Sequence, residues 1–508
     1  MIQLLTNAPQ YSNDIAEVIR LFFGMVKISQ EGPAELCLAI NLAPEQTVGT
    51  LEPGNHHCAI AITPAPSQEV DSACQRDSSV DTLDTDAENC FPNTLDALRL
   101  EQKRREKYAL KRCVYALLQS AYPQVHPWGS LTGIRPTKLL REMTGRHGGA
   151  EALRQFTEVF SVTPQKRDLA VEICRVQADT LASVSARDVD IYVGIPYCKS
   201  RCLYCSFGAE VPRGQDVLSS YLATLLADIR AGGALVRDGG LRVRALYVGG
   251  GTPTVLSAPQ LEELLGQIAL AYGAFAETTV EAGRPDTITA EKLAVLRAQS
   301  IQRVSVNPQT MNDLTLQRIG RAHTAAQTEE AMALVRAAGF PVVNMDLIAG
   351  LPGESAADMA HTLSRIRQMA PENLTAHSLA IKRSSGLHQR LEQYPLPTAE
   401  TTLQMLTMCA ETAAAMGMQP YYLYRQKYMS GNLENVGYAT PETVCRYNID
   451  MMEESCSILA HGAGAMSKRV FSGENRVERL PNPKDAATYR EKLPLLLERK
   501  KELMCPHG

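Results

Sequence analysis

The chain has 508 residues, 45% of them hydrophobic and 21% charged, with a formal net charge of −4, a balance that fits a globular protein of roughly three domains. That charge argues against a basic nucleic-acid footprint, and no apolar run reaches the ~18–20 residues of a membrane span. The N-terminus has neither a basic start nor a small-residue cleavage site, and thirteen cysteines, scattered except for one trio, suit a reducing cytoplasm better than a disulfide scaffold.

Residues 1–63 read as a small α/β region. Residues 64–94 are rich in Asp, Ser and Thr and poor in apolar side chains, so they read as an acidic linker or loop. Residues 95–187 are mainly helical, opening on one long amphipathic helix whose apolar positions fall three and four apart. From about 188 the pattern becomes regular. "VDIYVGI", "RVRALYVGG", "TTVEA", "IQRVSV", "PVVNMDLIAG" and "NLTAHSLAI" are strand-like. They alternate with helical stretches, among them 216–237, 324–338, 355–369 and one capped by Ser257. Six such units argue for parallel βαβ connections and a partial (βα)6 barrel over 188–383, with a doubly wound open sheet as the alternative. Residues 384–508 read as a mixed C-terminal region packed on the barrel, with helices at 399–417 and 484–499.

The distinctive stretch is "IYVGIPYCKSRCLYCSFG", which places Cys198, Cys202 and Cys205 just past the first barrel strand. Structural zinc takes four N/S ligands, usually in two pairs, and no second pair follows. A redox dithiol needs only C-x-x-C and leaves Cys198 unexplained. Three thiolates can hold three irons of a 4Fe–4S cluster and leave the fourth open. In α/β barrels the chemistry gathers at the C-terminal strand ends. The later strands end on "GGGT" (Gly249–Thr252), Glu281, Asn307 with Gln309, and Asp346, groups able to meet a diol, an ammonium or a carboxylate. Arg321 and His323 follow in "RIGRAHT".

The trio's spacing resembles the radical S-adenosylmethionine (SAM) enzymes. With "YVGGGTPT", "RVSVNPQT", "IGRAHT", "NMDLIAGLPGE" and, outside the barrel, "PWGSLTGIRPTK" and "HGAGAMSK", the chain resembles the oxygen-independent coproporphyrinogen III dehydrogenase family and its HemZ-like branch. The resemblance implies a 4Fe–4S cluster on Cys198, Cys202 and Cys205 and SAM as cofactor. It implies contacts to the cluster-bound SAM from Tyr192, Gly250 and Glu281. Tyr204, Gly251, Thr252, Gln309, Arg321, Asp346 and Ala380 would line a second SAM site, with Met466 a looser match. It implies oxidative decarboxylation of two propionates of coproporphyrinogen III to give protoporphyrinogen IX, and a low-potential electron donor such as a flavodoxin or ferredoxin. Candidates to pair the substrate's propionates are Arg284, Arg383, Arg425, Lys427 and Lys468. One position departs from the pattern: the well-characterised branch carries another cysteine where this chain has Phe207, an aromatic also found in relatives proposed to traffic haem. A haem-binding or haem-delivery protein on the same scaffold, or another radical SAM reaction on a tetrapyrrole, are the alternatives.

Overall fold

The computed structural model describes residues 1–24, 26–31, 34–62, 94–133, 135–426, 429–471 and 476–505. The expected linker at 64–94 therefore lies almost wholly outside the described residues, as does Lys427. Contacts divide the chain into two compact units, 1–132 with 153–166, and 133–152 with 167–508. The first unit is a five-stranded mixed sheet whose order, by first residue, is 28, 2, 36, 46, 56. Helices Ser12–Phe23 and Thr94–Ala121 cover one face around Ile15, Ile19, Leu38, Ile40, Val114 and Leu118.

The second unit carries an eleven-stranded sheet. Its strands are β1 (Asp188–Ile195), β2 (Arg242–Gly250), β3 (Glu277–Val280), β4 (Arg303–Ser305), β5 (Val342–Ala349) and β6 (Asn373–Ser378). After these come β7 (Gln419–Tyr424), β8 (Asn435–Ala439), β9 (Ser457–His461), β10 (Met466–Phe471) and β11 (Arg476–Pro481). The first six pair in parallel and in sequence order. A doubly wound sheet reverses its strand order at a switch point; this one does not, so the six expected units form a partial barrel. β1 reads as a continuous apolar run because helices and neighbouring strands bury both of its faces, leaving Val189, Ile191, Val193 and Ile195 fully inaccessible. The loops that leave the strand ends run into capped helices: Ser257–Gln260, Thr324–Gln327 and Ser355–Asp358 each form a reciprocal capping box, which fixes where each loop stops.

The C-terminal region contributes more sheet than its sequence pattern suggests. β8 pairs antiparallel with β6, and β7 with β8. β9 pairs parallel with the free side of β1, and β10 and β11 continue antiparallel from it. The sheet is thus extended at both ends rather than closed. The single helix expected at 484–499 is two helices, Ala486–Glu491 and Leu493–Met504, because Pro494 lacks an N–H and starts the second one.

Candidate functional site

The cysteine loop leaves β1 at Ile195 and is pinned on several sides. Cys198 N–H donates to the Glu210 carbonyl at 2.9 Å and Leu203 N–H to that of Ile319 at 2.8 Å, while the Leu203 carbonyl accepts from Leu387 N–H at 2.8 Å. The three thiols are half-buried. They lie close enough that Cys198 responds to the charge of Cys202, and Cys205 to those of both others. Burial pushes the Cys205 thiol up to about 11 and raises Cys198 as well. Two guanidinium groups meet at the centre of the trio: Arg284 and Arg321 each bring an Nη1 to 3.9 Å from Cys202 Sγ.

Arg284 is fully committed. It binds the Asp286 carboxylate at 3.0 and 3.4 Å and both Ser200 oxygens at 3.0 and 3.3 Å, so it clamps the turn between Cys198 and Cys202. Arg321 donates to the Asn307 carbonyl at 2.5 Å, to the Gly283 carbonyl at 3.2 Å and to the Tyr204 hydroxyl at 3.4 Å. Burial drives the neighbouring His323 down to about 3, helped by Arg321 and Arg284, so its imidazole is neutral.

The glycines of "GGG" let β2 pass under this loop. A Cβ on Gly251 would fall 2.4 Å from the Tyr197 carbonyl oxygen, and one on Gly249 2.9 Å from Glu281 Cδ. Gly250 sits at φ +107°, where a side chain is strained. The backbone donors here are engaged: Gly251 N–H reaches the Ile195 carbonyl at 2.7 Å and Thr252 N–H that of Tyr197 at 2.8 Å. The Thr252 hydroxyl is 3.4 Å from Cys198 Sγ, beside the thiol trio. Gly251→Ala is expected to force the loop off Tyr197, costing about 1–3 kcal/mol as overpacking does and lowering iron retention. A thermal melt and an iron assay of the same preparation check this.

Glu281, at the end of β3, accepts from the Tyr247 hydroxyl at 2.6 Å. Burial pushes its carboxyl up to about 7, with the Asp346 charge adding to the rise and Tyr247, the Gly250 N–H and His377 opposing it. Tyr192 stacks toward Tyr247 and Tyr447 at 6.3 and 6.2 Å, and those two are 4.5 Å apart, so an aromatic stack lines this side. Burial alone would raise Asp346, but His377, Asn344 and Thr375 together hold it below the usual carboxylate value. Asn344 Nδ2 is 2.8 Å and His377 Nε2 3.8 Å from its oxygens. Gln309 takes φ +69°, and its N–H donates to the Asp346 carbonyl at 3.0 Å. Ala380 forms an isolated bridge with Met429.

Several buried polar atoms at these strand ends have no protein partner: Asn307 Oδ1, Gln309 Oε1, Arg321 Nε and Ser378 Oγ. Leaving such atoms unpaired is costly. A polar ligand with hydroxyl, ammonium and adenine edges has the groups they need, and three neighbouring thiols beside two arginines suit an iron–sulfur cluster with an open iron. The donor set therefore fits both groups.

Of the proposed propionate partners, Arg284 is held by Asp286 and Ser200. Arg425 is buried with its Nη2 donating to the Asn432 carbonyl at 2.9 Å. Lys468 lies opposite Ile458, at the start of β9 rather than its site end. Arg284 and Arg425 are thus engaged by protein groups, and Lys468 stands away from the strand ends. Arg383 is exposed on the loop after β6, and Met466 is 41% exposed at the start of β10. Sequence reasoning missed Tyr247, Tyr447 and His377. Tyr247 and His377 were legible only as strand residues facing the same way as Glu281 and Asp346.

A half-buried thiol trio at the first strand end of an open parallel barrel, beside a glycine crossing and orphaned polar atoms, defines a radical SAM core. The family profile described as "Radical SAM superfamily" matches residues 192–366. The chain is 37% identical over 404 residues to the "oxygen-independent coproporphyrinogen-III oxidase-like protein HemZ" of Bacillus subtilis, covering 78% of this chain and 81% of that one. It is 28% identical over 307 residues to the "heme chaperone HemW" of Haemophilus influenzae, covering 58% and 75%. The solved structure of coproporphyrinogen III oxidase (HemN) from Escherichia coli superposes with a TM-score of 0.50 at 23% identity, covering 63% and 72% of the two chains, which supports the fold. The chain belongs to the oxygen-independent coproporphyrinogen III oxidase-like family of radical SAM proteins. Among the described residues no helix is long and apolar enough to cross a membrane.

Proposed function

We propose that this protein removes two propionate carboxyl groups of coproporphyrinogen III without oxygen, giving the vinyl groups of protoporphyrinogen IX. Each removal takes a hydrogen atom, one carbon dioxide and one electron from the substrate; the hydrogen passes to the SAM-derived radical and the electron to a one-electron acceptor such as an oxidised electron-carrier protein. The reading is carried by the thiol trio, together with partnerless polar atoms at the strand ends, in a chain that matches HemZ over most of its length. Cys198, Cys202 and Cys205 would hold the 4Fe–4S cluster. Tyr192, Gly250 and Glu281 would contact the SAM bound to it, and Tyr204, Gly251, Thr252, Gln309, Arg321, Asp346 and Ala380 would line a second site. When bound, cluster and SAM supply a 5′-deoxyadenosyl radical that takes a hydrogen atom from a carbon. The chain's own share is to orient and to exclude water. Arg284 and Arg321 offset the thiolate charge, Tyr247 fixes the Glu281 carboxyl, and the tyrosine stack keeps the pocket dry.

Glu281 gives this reading a pH signature. An ammonium group is held better by the ionised carboxylate, and the free protein keeps that carboxyl protonated below about 7. SAM affinity of the reconstituted protein is therefore expected to rise with pH, by up to about tenfold per unit below about pH 6.5, and to level off above 7. Glu281→Gln is expected to weaken binding and flatten that profile, as calorimetry across pH would show.

The test of the reaction is anaerobic incubation of reconstituted protein with SAM, dithionite and coproporphyrinogen III, with the porphyrins separated after oxidation. Protoporphyrin is the expected product. The second reading, a haem-binding or haem-delivery role, is favoured by the HemW relatives and by Phe207, whose ring is 68% exposed beside Cys205. Stoichiometric haem uptake with no protoporphyrin would establish it instead.

A further inference from the structure

The outer face of the cysteine loop differs in character from the rest of the chain. The loop at 196–217 and the segment at 382–390 carry six Lys and Arg against two carboxylates, in a protein whose formal charge is −4. The two segments are fastened together: Arg201 Nη2 donates to the Ser384 carbonyl at 3.2 Å, Ser384 Oγ to that of Ser206 at 3.5 Å, and Leu387 N–H to that of Leu203 at 2.8 Å. Four of the cations, Arg201, Arg213, Arg383 and Arg390, are exposed, and Lys199 is 56% exposed with its Nζ 3.4 Å from the Asp286 carboxylate. Among them stand two large apolar side chains in water, Phe207 at 68% and Val211 at 50% exposure. Phe207 is also joined to the thiols through its backbone N–H, which reaches Cys205. A basic rim around exposed apolar side chains is the composition of a transient protein interface, and the backbone under this one carries all three thiols.

We propose that this face, centred on Phe207 and rimmed by Lys199, Arg201 and Arg213, docks an acidic one-electron carrier protein that reduces the cluster. The inference rests on the cluster assigned under the proposed function. One electron leaves the reduced carrier and enters the cluster, and no bond is made or broken. Opposite charges steer the encounter, and Phe207 stands two residues beyond Cys205, its N–H bonded to that thiol.

The probe is a reduced acidic flavodoxin, followed at its flavin absorbance in stopped flow, with calorimetric binding of the oxidised form as a readout independent of turnover. The wild-type reduction rate should fall severalfold as salt rises from about 50 to 300 mM. Lys199→Gln/Arg213→Gln should slow it about fivefold at low salt, and Phe207→Ser should weaken binding. Reduction by dithionite should stay within about twofold in every variant. Unchanged flavodoxin rates in the variants, or an equal loss with dithionite, would overturn the docking surface. So would weaker coproporphyrinogen binding by the double variant, which would give the rim to the substrate. Failure of the proposed reaction shows separately, as absence of protoporphyrin in the dithionite-driven wild type, and leaves the donor comparison readable.

Discussion

Cys202→Ala is expected to abolish cluster assembly outright. Iron and sulfide should drop to background, and the broad absorption near 400 nm that iron–sulfur clusters show should disappear. Cys202 is the thiol that both buried guanidinium groups approach, each at 3.9 Å. If the trio holds the cluster as proposed, removing Cys202 leaves only two thiolates to bind its irons, and the alanine methyl group offers the facing Arg284 and Arg321 no partner. Cys198→Ala and Cys205→Ala should behave alike. Because Arg284 keeps its Asp286 and Ser200 partners without the thiol, the fold should survive, with a far-UV spectrum and melting temperature close to wild type. A Cys202→Ala protein that assembled a full four-iron cluster would show that the ligand set is wrong.

The second large effect concerns stability. Asp228→Ala is expected to destabilise the 133–152/167–508 unit by about 3–5 kcal/mol, the scale seen when one partner is taken from a buried charge set. Asp228 lies fully buried in the helix Gln215–Asp238. It accepts from Lys500 Nζ at 2.7 and 2.9 Å and from the Tyr489 hydroxyl at 2.6 Å, and its carboxylate is 3.0 Å from His461 Nδ1. Burial would raise the carboxyl, but Lys500 and His461 outweigh it and hold it well below its usual value. The alanine variant leaves the Lys500 ammonium buried without a counter-charge and takes the carboxylate partner from His461 Nδ1. Lys500 comes from the last helix and His461 from the end of β9. Their loss should therefore loosen the C-terminal helix and the strand that pairs with β1. Thermal melts of Asp228→Ala, Lys500→Met and the double variant check this. The double variant should be more stable than Asp228→Ala, since it removes the stranded ammonium.

Much of the site could be read from the sequence because its signals are local. Three cysteines in eight residues, three consecutive glycines, and polar residues closing successive apolar strands each depend on neighbours in the chain. The barrel was legible for the same reason: strand and helix periods alternate regularly from 188 to 383. What escaped depends on pairs far apart in sequence. Arg284 and Lys468 look like free cations until Asp286 and Ser200 close round the first and the register of β9 and β10 places the second away from the strand ends. Tyr247 gains its meaning from Glu281, and His377 from Asp346. The C-terminal strands are five or six residues each and are interrupted by short helices, so periodicity alone did not separate them from irregular segments. β9 becomes a barrel neighbour only because a tertiary edge of β1 was left open.

The most direct test of the central claim uses coproporphyrinogen III deuterated at the propionate β-carbons. Incubated anaerobically with reconstituted protein, SAM and dithionite, it should transfer deuterium into 5′-deoxyadenosine, with two molecules of carbon dioxide released for each protoporphyrinogen IX formed. 5′-Deoxyadenosine that carries no deuterium, with the propionates intact and haem tightly held, would contradict the decarboxylase and assign the scaffold to haem binding.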